Sequence, residues 1–127
     1  MSRERGFEFE KEFVNMARVR GCKAWRVGGH KAHDAVVSTK RVQCKDKVYD
    51  DGGRVRIARG QNKYKVGDWD VLALRWNGNL YLIPERLLRT KNGTILTVIR
   101  PSHFCEWIDA WHVFDGAPTP VEQMFLF

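Results

Sequence analysis

Apolar residues recur at helical spacing near the start of the chain. Between Arg3 and Arg20, the residues Phe9, Phe13, Met16 and Ala17 fall on one stripe, and Gly21 supplies the stop. The spacing predicts an amphipathic helix over 3–20. After it the period shortens to two. Lys23-Ala24-Trp25-Arg26-Val27 reads as a short strand closed by Gly28-Gly29. Asp34-Ala35-Val36-Val37 and Arg41-Val42-Gln43-Cys44-Lys45 read as two more, joined by a tight Ser38-Thr39-Lys40 turn. A largely apolar strand runs from Trp69 to Trp76, and the hairpin signal Asn77-Gly78 returns it through Leu80-Tyr81-Leu82-Ile83. Pro84 opens a helical turn over 85–88, because its missing N–H costs nothing at a first helical position. Thr94 to Ile99 adds an edge strand. Ser102 then caps a second helix whose stripe is Phe104, Trp107, Ile108 and Trp111. The order is that of an α/β fold with a central mixed β-sheet flanked by α-helices.

Charge changes this picture more than composition does. The 127 residues fit one domain, and 43% apolar content is enough to close a single core. With 22 Lys and Arg against 15 Asp and Glu the net charge is +7, which favours a polyanionic partner, nucleic acid before an anionic membrane surface. Nine basic residues lie between Lys40 and Lys65 against three acids, so that segment carries +6 of the +7. Tyr49, Gln61, Asn62 and Tyr64 sit among these cations with the breakers Asp51-Gly52-Gly53 and Gly60, the pattern of a long loop or hairpin laid along a phosphate backbone. A solvated basic loop is the plainer alternative. No run reaches the length of a spanning helix, and Met1-Ser2-Arg3-Glu4-Arg5 lacks a signal peptide's apolar stretch, so a cytoplasmic protein with no membrane partner is expected. Cys22, Cys44 and Cys105 are odd in number and form no CxxC pair, against a disulfide scaffold or a four-cysteine zinc site.

Candidate chemistry gathers around one turn. Two strands joined tightly bring the start of the first, Asp34, beside the end of the second, Gln43-Cys44-Lys45. Alternation points Gln43 and Lys45 to one face and Cys44 to the other. A carboxylate, a side-chain oxygen and an ammonium thereby converge. Phosphodiester hydrolysis needs such a set: oxygen ligands hold Mg²⁺ or Mn²⁺, while Lys orients the attacking water or stabilises phosphorane-like charge. The Cys44 carbonyl offers a further oxygen. Of Glu8, Glu10 and Glu12 on the first helix, Glu10 lies beside the apolar stripe, with Val14 and Ala17 following at helical spacing, and is best placed to face the sheet. The plainer alternative has Asp34 capping a turn and Lys45 solvated.

Read together, Gly6-Phe7-Glu8-Phe9-Glu10-Lys11-Glu12-Phe13, Arg26-Val27-Gly28-Gly29-His30, Asp34 and Gln43-Cys44-Lys45 resemble the PD-(D/E)XK nuclease superfamily. Within it, the order is most similar to archaeal-type Holliday junction resolvases: a helix with Gly-x-x-x-Glu-(Arg/Lys)-Glu-apolar, a strand ending in Arg, a small-residue loop, Asp, then (Glu/Gln)-x-Lys. The resemblance covers the first third of the chain. It implies a restriction-endonuclease-like fold in which Glu10, Asp34 and Gln43 bind the divalent metal and Lys45 is catalytic, acting on branched DNA in recombination or repair. Those resolvases often carry serine where this chain has His30, and usually Glu where it has Gln43. Gln at that position is also similar to an intron-encoded homing endonuclease branch of the superfamily. A two-fold homodimer matches the two strands to be cut.

The remaining features give further expectations. Arg26, His30, Lys31, Lys47, Arg54, Arg56, Arg59, Lys63 and Lys65 are candidate DNA contacts. His30 and His33 are polar loop residues beside DNA or, alternatively, a transition-metal site with Asp34; His103 and His112 are expected as surface or capping residues. Cys44 is expected as a buried thiol, and the five tryptophans as core or dimer surface. Residues 1–115 form the nuclease-like domain and 116–127 an extended tail. That tail ends in Gln123-Met124-Phe125-Leu126-Phe127, which resembles the bacterial sliding-clamp-binding motif Gln-x-x-Leu-Phe. Gln123, Leu126 and Phe127 are its candidate clamp contacts, and docking on the chain's own domain or a dimer mate is the alternative. Three functions stay open: a metal-dependent endonuclease for branched DNA, a sequence-specific homing or nicking enzyme, and a non-catalytic DNA-binding adaptor.

Overall fold

The computed structural model describes residues 3–28, 33–48, 52–58 and 64–114. The candidate contacts His30, Lys31, Arg59 and Lys63, and the tail residues Gln123, Leu126 and Phe127, lie outside the described residues.

Helix α1 spans Arg3–Val19. Its stripe is the expected one: Phe9, Phe13, Val14 and Ala17 are buried and Met16 packs beside them. Gly21 stops it in the left-handed region (φ +86°), which lets the Cys22 N–H reach back to the Ala17 carbonyl at 3.0 Å. Strands β1 (Ala24–Arg26), β2 (Ala35–Val37) and β3 (Lys40–Lys47) follow as an antiparallel meander. After β4 (Val55–Arg56) come β5 (Val71–Trp76) and β6 (Asn79–Pro84), closed by Asn77 at φ +52° and Gly78 at φ +78°, the left-handed pair that a two-residue hairpin demands. The main sheet has the order β1-β2-β3-β5-β6, and its one parallel pair is β3 with β5.

Each face of this sheet has its own core. Helix α1 covers Val42, Cys44, Val71, Ala73 and Leu82, with Trp111 stacked on Phe13 at 5.7 Å and Phe114 beside both. The opposite face presents Leu72, Leu74, Tyr81 and Ile83 to Val55, Ile57, Trp69, Leu88, Ile95 and Ile99. Along β5 the two sets alternate, as a strand buried on both faces requires.

Three expectations need correction. The stretch expected as one helix from Ser102 is instead 3₁₀ turns, Pro101–Trp107 and Trp111–Val113. Ser102 is no cap, and Phe104 leaves helical geometry at φ −124°. The cause is pairing with the edge of β6: the Asp109 N–H donates to the Leu80 carbonyl at 2.8 Å and Ile108 bridges Tyr81. The strand expected over 94–99 does not extend the main sheet. Its backbone bonds are divided among Lys65, Leu88, Arg89 and Ile57, and its regular part, β7 (Val98–Ile99), pairs with β4 in a separate two-stranded sheet. The basic segment is accordingly no plain loop: β3 runs on to Lys47, and Val55, Ile57 and Ala58 are buried. One single residue also differs: His112, expected at the surface or as a cap, is half-buried and stacked on Trp107. Trp25 is 47% exposed, on the surface side of the two alternatives given for the tryptophans.

One cation ties α1 to the sheet. Arg75 on β5 donates from Nη2 and Nε to the two carboxylate oxygens of Asp46 on β3, at 2.9 and 3.2 Å. Its Nη1 bonds Glu12 of α1, and its guanidinium lies 4.6 Å from the centre of the Phe9 ring. The Asp46 side chain is 5% exposed, so this pair is held in low dielectric. Arg75→Ala strips that buried carboxylate of its guanidinium and is expected to cost about 2 kcal/mol, while Glu12→Ala, at a half-exposed position, costs less than about 1 kcal/mol. Urea unfolding of the two variants checks the difference.

Candidate active site

The site forms where β3 outruns β2. Their register ends at Ala35 opposite Val42, yet β3 continues for five residues, paired with β5 on its other side. The Val42 and Cys44 peptide groups face the β2 side. Val42 accepts from the Asp34 N–H at 2.8 Å, and the Cys44 N–H donates to Asp34 Oδ2 at 2.9 Å. The Asp34 carboxylate thus takes a donor that the departing strand leaves behind. Alternation puts the Cys44 carbonyl on that side as well. Gln43, buried at 6% exposure, donates from Nε2 to the same Asp34 Oδ2 at 2.8 Å, which leaves its amide oxygen as a further acceptor.

Glu10 approaches from α1. Arg26, at the end of β1, donates to Glu10 Oε1 from Nε and Nη2 at 3.3 Å and lies 5.0 Å from the centre of the Phe7 ring. A residue expected at the DNA therefore also orients a candidate ligand. Burial, then the charge of Asp34, pushes the Glu10 carboxyl above its ordinary value; Arg26 and Lys45 oppose this. Burial likewise raises Asp34 against the Cys44 N–H and the charges of Lys45, His33 and Arg26. The Cys44 thiol is pushed well up by burial and by both carboxylates, which leaves it protonated and without a nucleophile's character. Lys45 sits on the face opposite α1, its Nζ 5.7 Å from the centre of the Tyr64 ring.

These residues fit a hard divalent cation. Two desolvated carboxylates disfavour their own charge, which a cation relieves, and the neutral donors beside them are an amide oxygen and a peptide carbonyl. Among the described residues no three His, Cys, Asp or Glu cluster, so any cation here would also need the amide and peptide oxygens.

Of the candidate DNA contacts, Lys47 ends β3 with the same strand parity as Gln43 and Lys45. Arg54, Arg56 and Lys65 are exposed on segments that pack on that same face through Val55, Ile57 and Tyr64. The described part of the site lies along the edge of β3 that β2 leaves. A cavity of about 690 Å³ lies between α1 and the β5–β6 hairpin, lined by Met16, Val19, Leu80 and Trp111, and holds none of the site residues. Two contributions escape the sequence reading. The Arg26–Glu10 pair left a signal that went unused, since alternation from Ala24 turns Arg26 toward α1; the Tyr64–Lys45 contact depends on a long crossover and had no local signal.

The five-stranded mixed sheet, crossed on one face by α1 and on the other by the β4–β7 layer, is a restriction-endonuclease-like α/β fold. Among solved structures it is similar to the bacterial homing endonuclease I-Ssp6803I, with a TM-score of 0.58 and 15% identity over 85% of this chain and 88% of that one. At that identity the likeness is one of fold. No family model matches the chain, and no curated protein matches it. Among the described residues no helix is long and apolar enough to cross a membrane.

The raised Asp34 carboxyl sets a pH-dependence. A group whose folded value lies above its unfolded one holds extra protons in the native state, so its contribution to stability is lost as pH rises from the ordinary carboxylate range through the raised value. Asp34→Asn keeps an oxygen for the Cys44 and Gln43 donors and removes the charge. In metal-free buffer at neutral pH it is expected to melt above the parent, with the difference closing in acid. Mg²⁺ should raise the parent's Tm and leave the variant's unchanged; thermal scans with and without the metal read both effects.

Proposed function

We propose that this chain is a divalent-metal-dependent DNA endonuclease. The observation that carries the reading is the meeting of Asp34, Gln43 and the Cys44 peptide where β2 leaves β3, with the charges of Glu10 and Lys45 acting on the same point. Glu10, Asp34, Gln43 and the Cys44 carbonyl would hold Mg²⁺ or Mn²⁺, which when bound supplies an activated water and charge neutralisation at the phosphate. Gln43 fixes the Asp34 carboxylate by its amide hydrogen bond, and Arg26 fixes Glu10. Lys45 offers an ammonium to the phosphoryl oxygens as negative charge builds on them. Arg54, Arg56, Lys47 and Lys65 neutralise flanking phosphates, which gives affinity without reading sequence.

Two substrates fit this machinery. Cleavage of specific duplex sites, as by a homing or nicking enzyme, is supported by Gln43 in place of Glu and by a structural neighbour that is a homing endonuclease. Branched DNA, cut by a two-fold homodimer, is supported by the resolvase-like order of motifs over the first third of the chain. A competition assay separates them, offering a four-way junction and linear duplexes of varied sequence with Mg²⁺, Mn²⁺ or EDTA. Cleavage is expected with metal and none with EDTA. Asp34→Asn should lose about 100-fold or more in rate. Lys45→Ala should lose rate far more than affinity, since it is one cation among nine in the basic segment. Metal-independent binding with no cleavage of any substrate would leave a DNA-binding adaptor instead.

A further inference from the structure

We infer that Tyr64 is a positioning residue for Lys45, a platform that holds the ammonium toward the phosphate and away from the metal-binding carboxylates. The inference rests on the nuclease reading above. Lys45 carries its charge on a flexible four-carbon stem, and that charge acts on Glu10, on Asp34 and on the Cys44 thiol. An ammonium free to fold onto those carboxylates would compete with the cation they are to bind. Yet among the described residues Lys45 forms no ion pair with either of them. Its Nζ lies instead 5.7 Å from the centre of the Tyr64 ring, within cation–π range.

The ring is a firm support. It packs in a T-shape with Trp69, the ring centres 5.6 Å apart at 81°, and Trp69 is fully buried in the second core. The Tyr64 carbonyl accepts the Ile95 N–H at 2.9 Å, which anchors the backbone beneath it. Lys45 leaves the sheet on the face that this core covers, so the crossover from β3 to β5 brings the ring to the ammonium. Charge and aromatic face thus come from segments nineteen residues apart in sequence, joined only by the fold.

The test is a double-mutant cycle on metal-dependent nicking of plasmid DNA by the full chain. Tyr64→Leu keeps apolar bulk and removes the π face. It should lower kcat about fivefold, with KM for DNA moved less than about twofold, while Tyr64→Phe restores kcat to within about twofold of the parent. In a Lys45→Ala background Tyr64→Leu should cost nothing further. An equal loss in that background, or a Phe variant as impaired as Leu, overturns the platform. Full activity of Lys45→Ala would instead overturn the catalytic reading of Lys45, a separate failure. A substrate-free readout decides the geometry in either case. Proton–carbon spectra of the parent and Tyr64→Phe should show the Lys45 Hε protons upfield of the other lysines, displaced by the ring, and Tyr64→Leu should return them to the lysine average. Lys45 Hε protons at the average position in the parent overturn the inference, and Tyr64→Met serves if Tyr64→Leu fails to fold.

Discussion

Parallel strands cannot be joined by a tight turn, and the parallel pairing of β3 with β5 is the constraint from which most of this molecule follows. The connection must leave one end of β3 and return to the start of β5, and its described parts, 52–58 and 64–70, pack on one face of the sheet. That crossing does three things at once. It supplies Val55, Ile57 and Trp69 as the second core, without which Leu72 and Leu74 would face water. It carries Arg54, Arg56 and Lys65 to the face where Lys45 emerges. It also sets Tyr64 beneath the Lys45 ammonium. Helix α1 takes the opposite face, so Glu10 reaches the site from the other side of the same strand.

The site exists because β2 stops early. A strand that outruns its neighbour exposes backbone donors and acceptors, and each needs a partner. Here Asp34 provides one by accepting the Cys44 N–H, and Gln43 adds a second hydrogen bond to the same oxygen. The arrangement costs stability, since burial pushes both Glu10 and Asp34 toward the neutral form. The compensation lies elsewhere: the Arg75–Asp46 pair and the Phe13–Trp111 stack secure α1 against the sheet. A firm scaffold is how two desolvated, mutually repelling carboxylates persist at a strand edge.

What was legible in the sequence divides along the range of the interactions. Helix α1, the β2–β3 turn and the Asn77-Gly78 hairpin are local: a stripe, a stop and turn residues specify them. Asp34, Gln43 and Lys45 were legible for the same reason, because one tight turn relates them. The C-terminal stretch was misread because its apolar spacing imitates a helix, while the edge of β6 offered Asp109 and Ile108 better backbone partners. The β4–β7 sheet joins Val55 to Ile99 across forty-four residues, a separation at which periodicity carries no information. Tyr64 stood in plain view among the cations, yet its contact with Lys45 needs the crossover to be known first.

Gln43 draws these strands together. The Asp34 carboxylate accepts from Gln43 Nε2 and from the Cys44 N–H at one oxygen. A Glu at this position brings only acceptor oxygens when ionised, and could not donate that bond. It would also set a third carboxylate beside two that burial already disfavours. With Gln, the strand edge carries no third negative charge, and two hydrogen bonds orient the Asp34 carboxylate. The amide thus gives up a negative charge for a carboxylate held in one orientation.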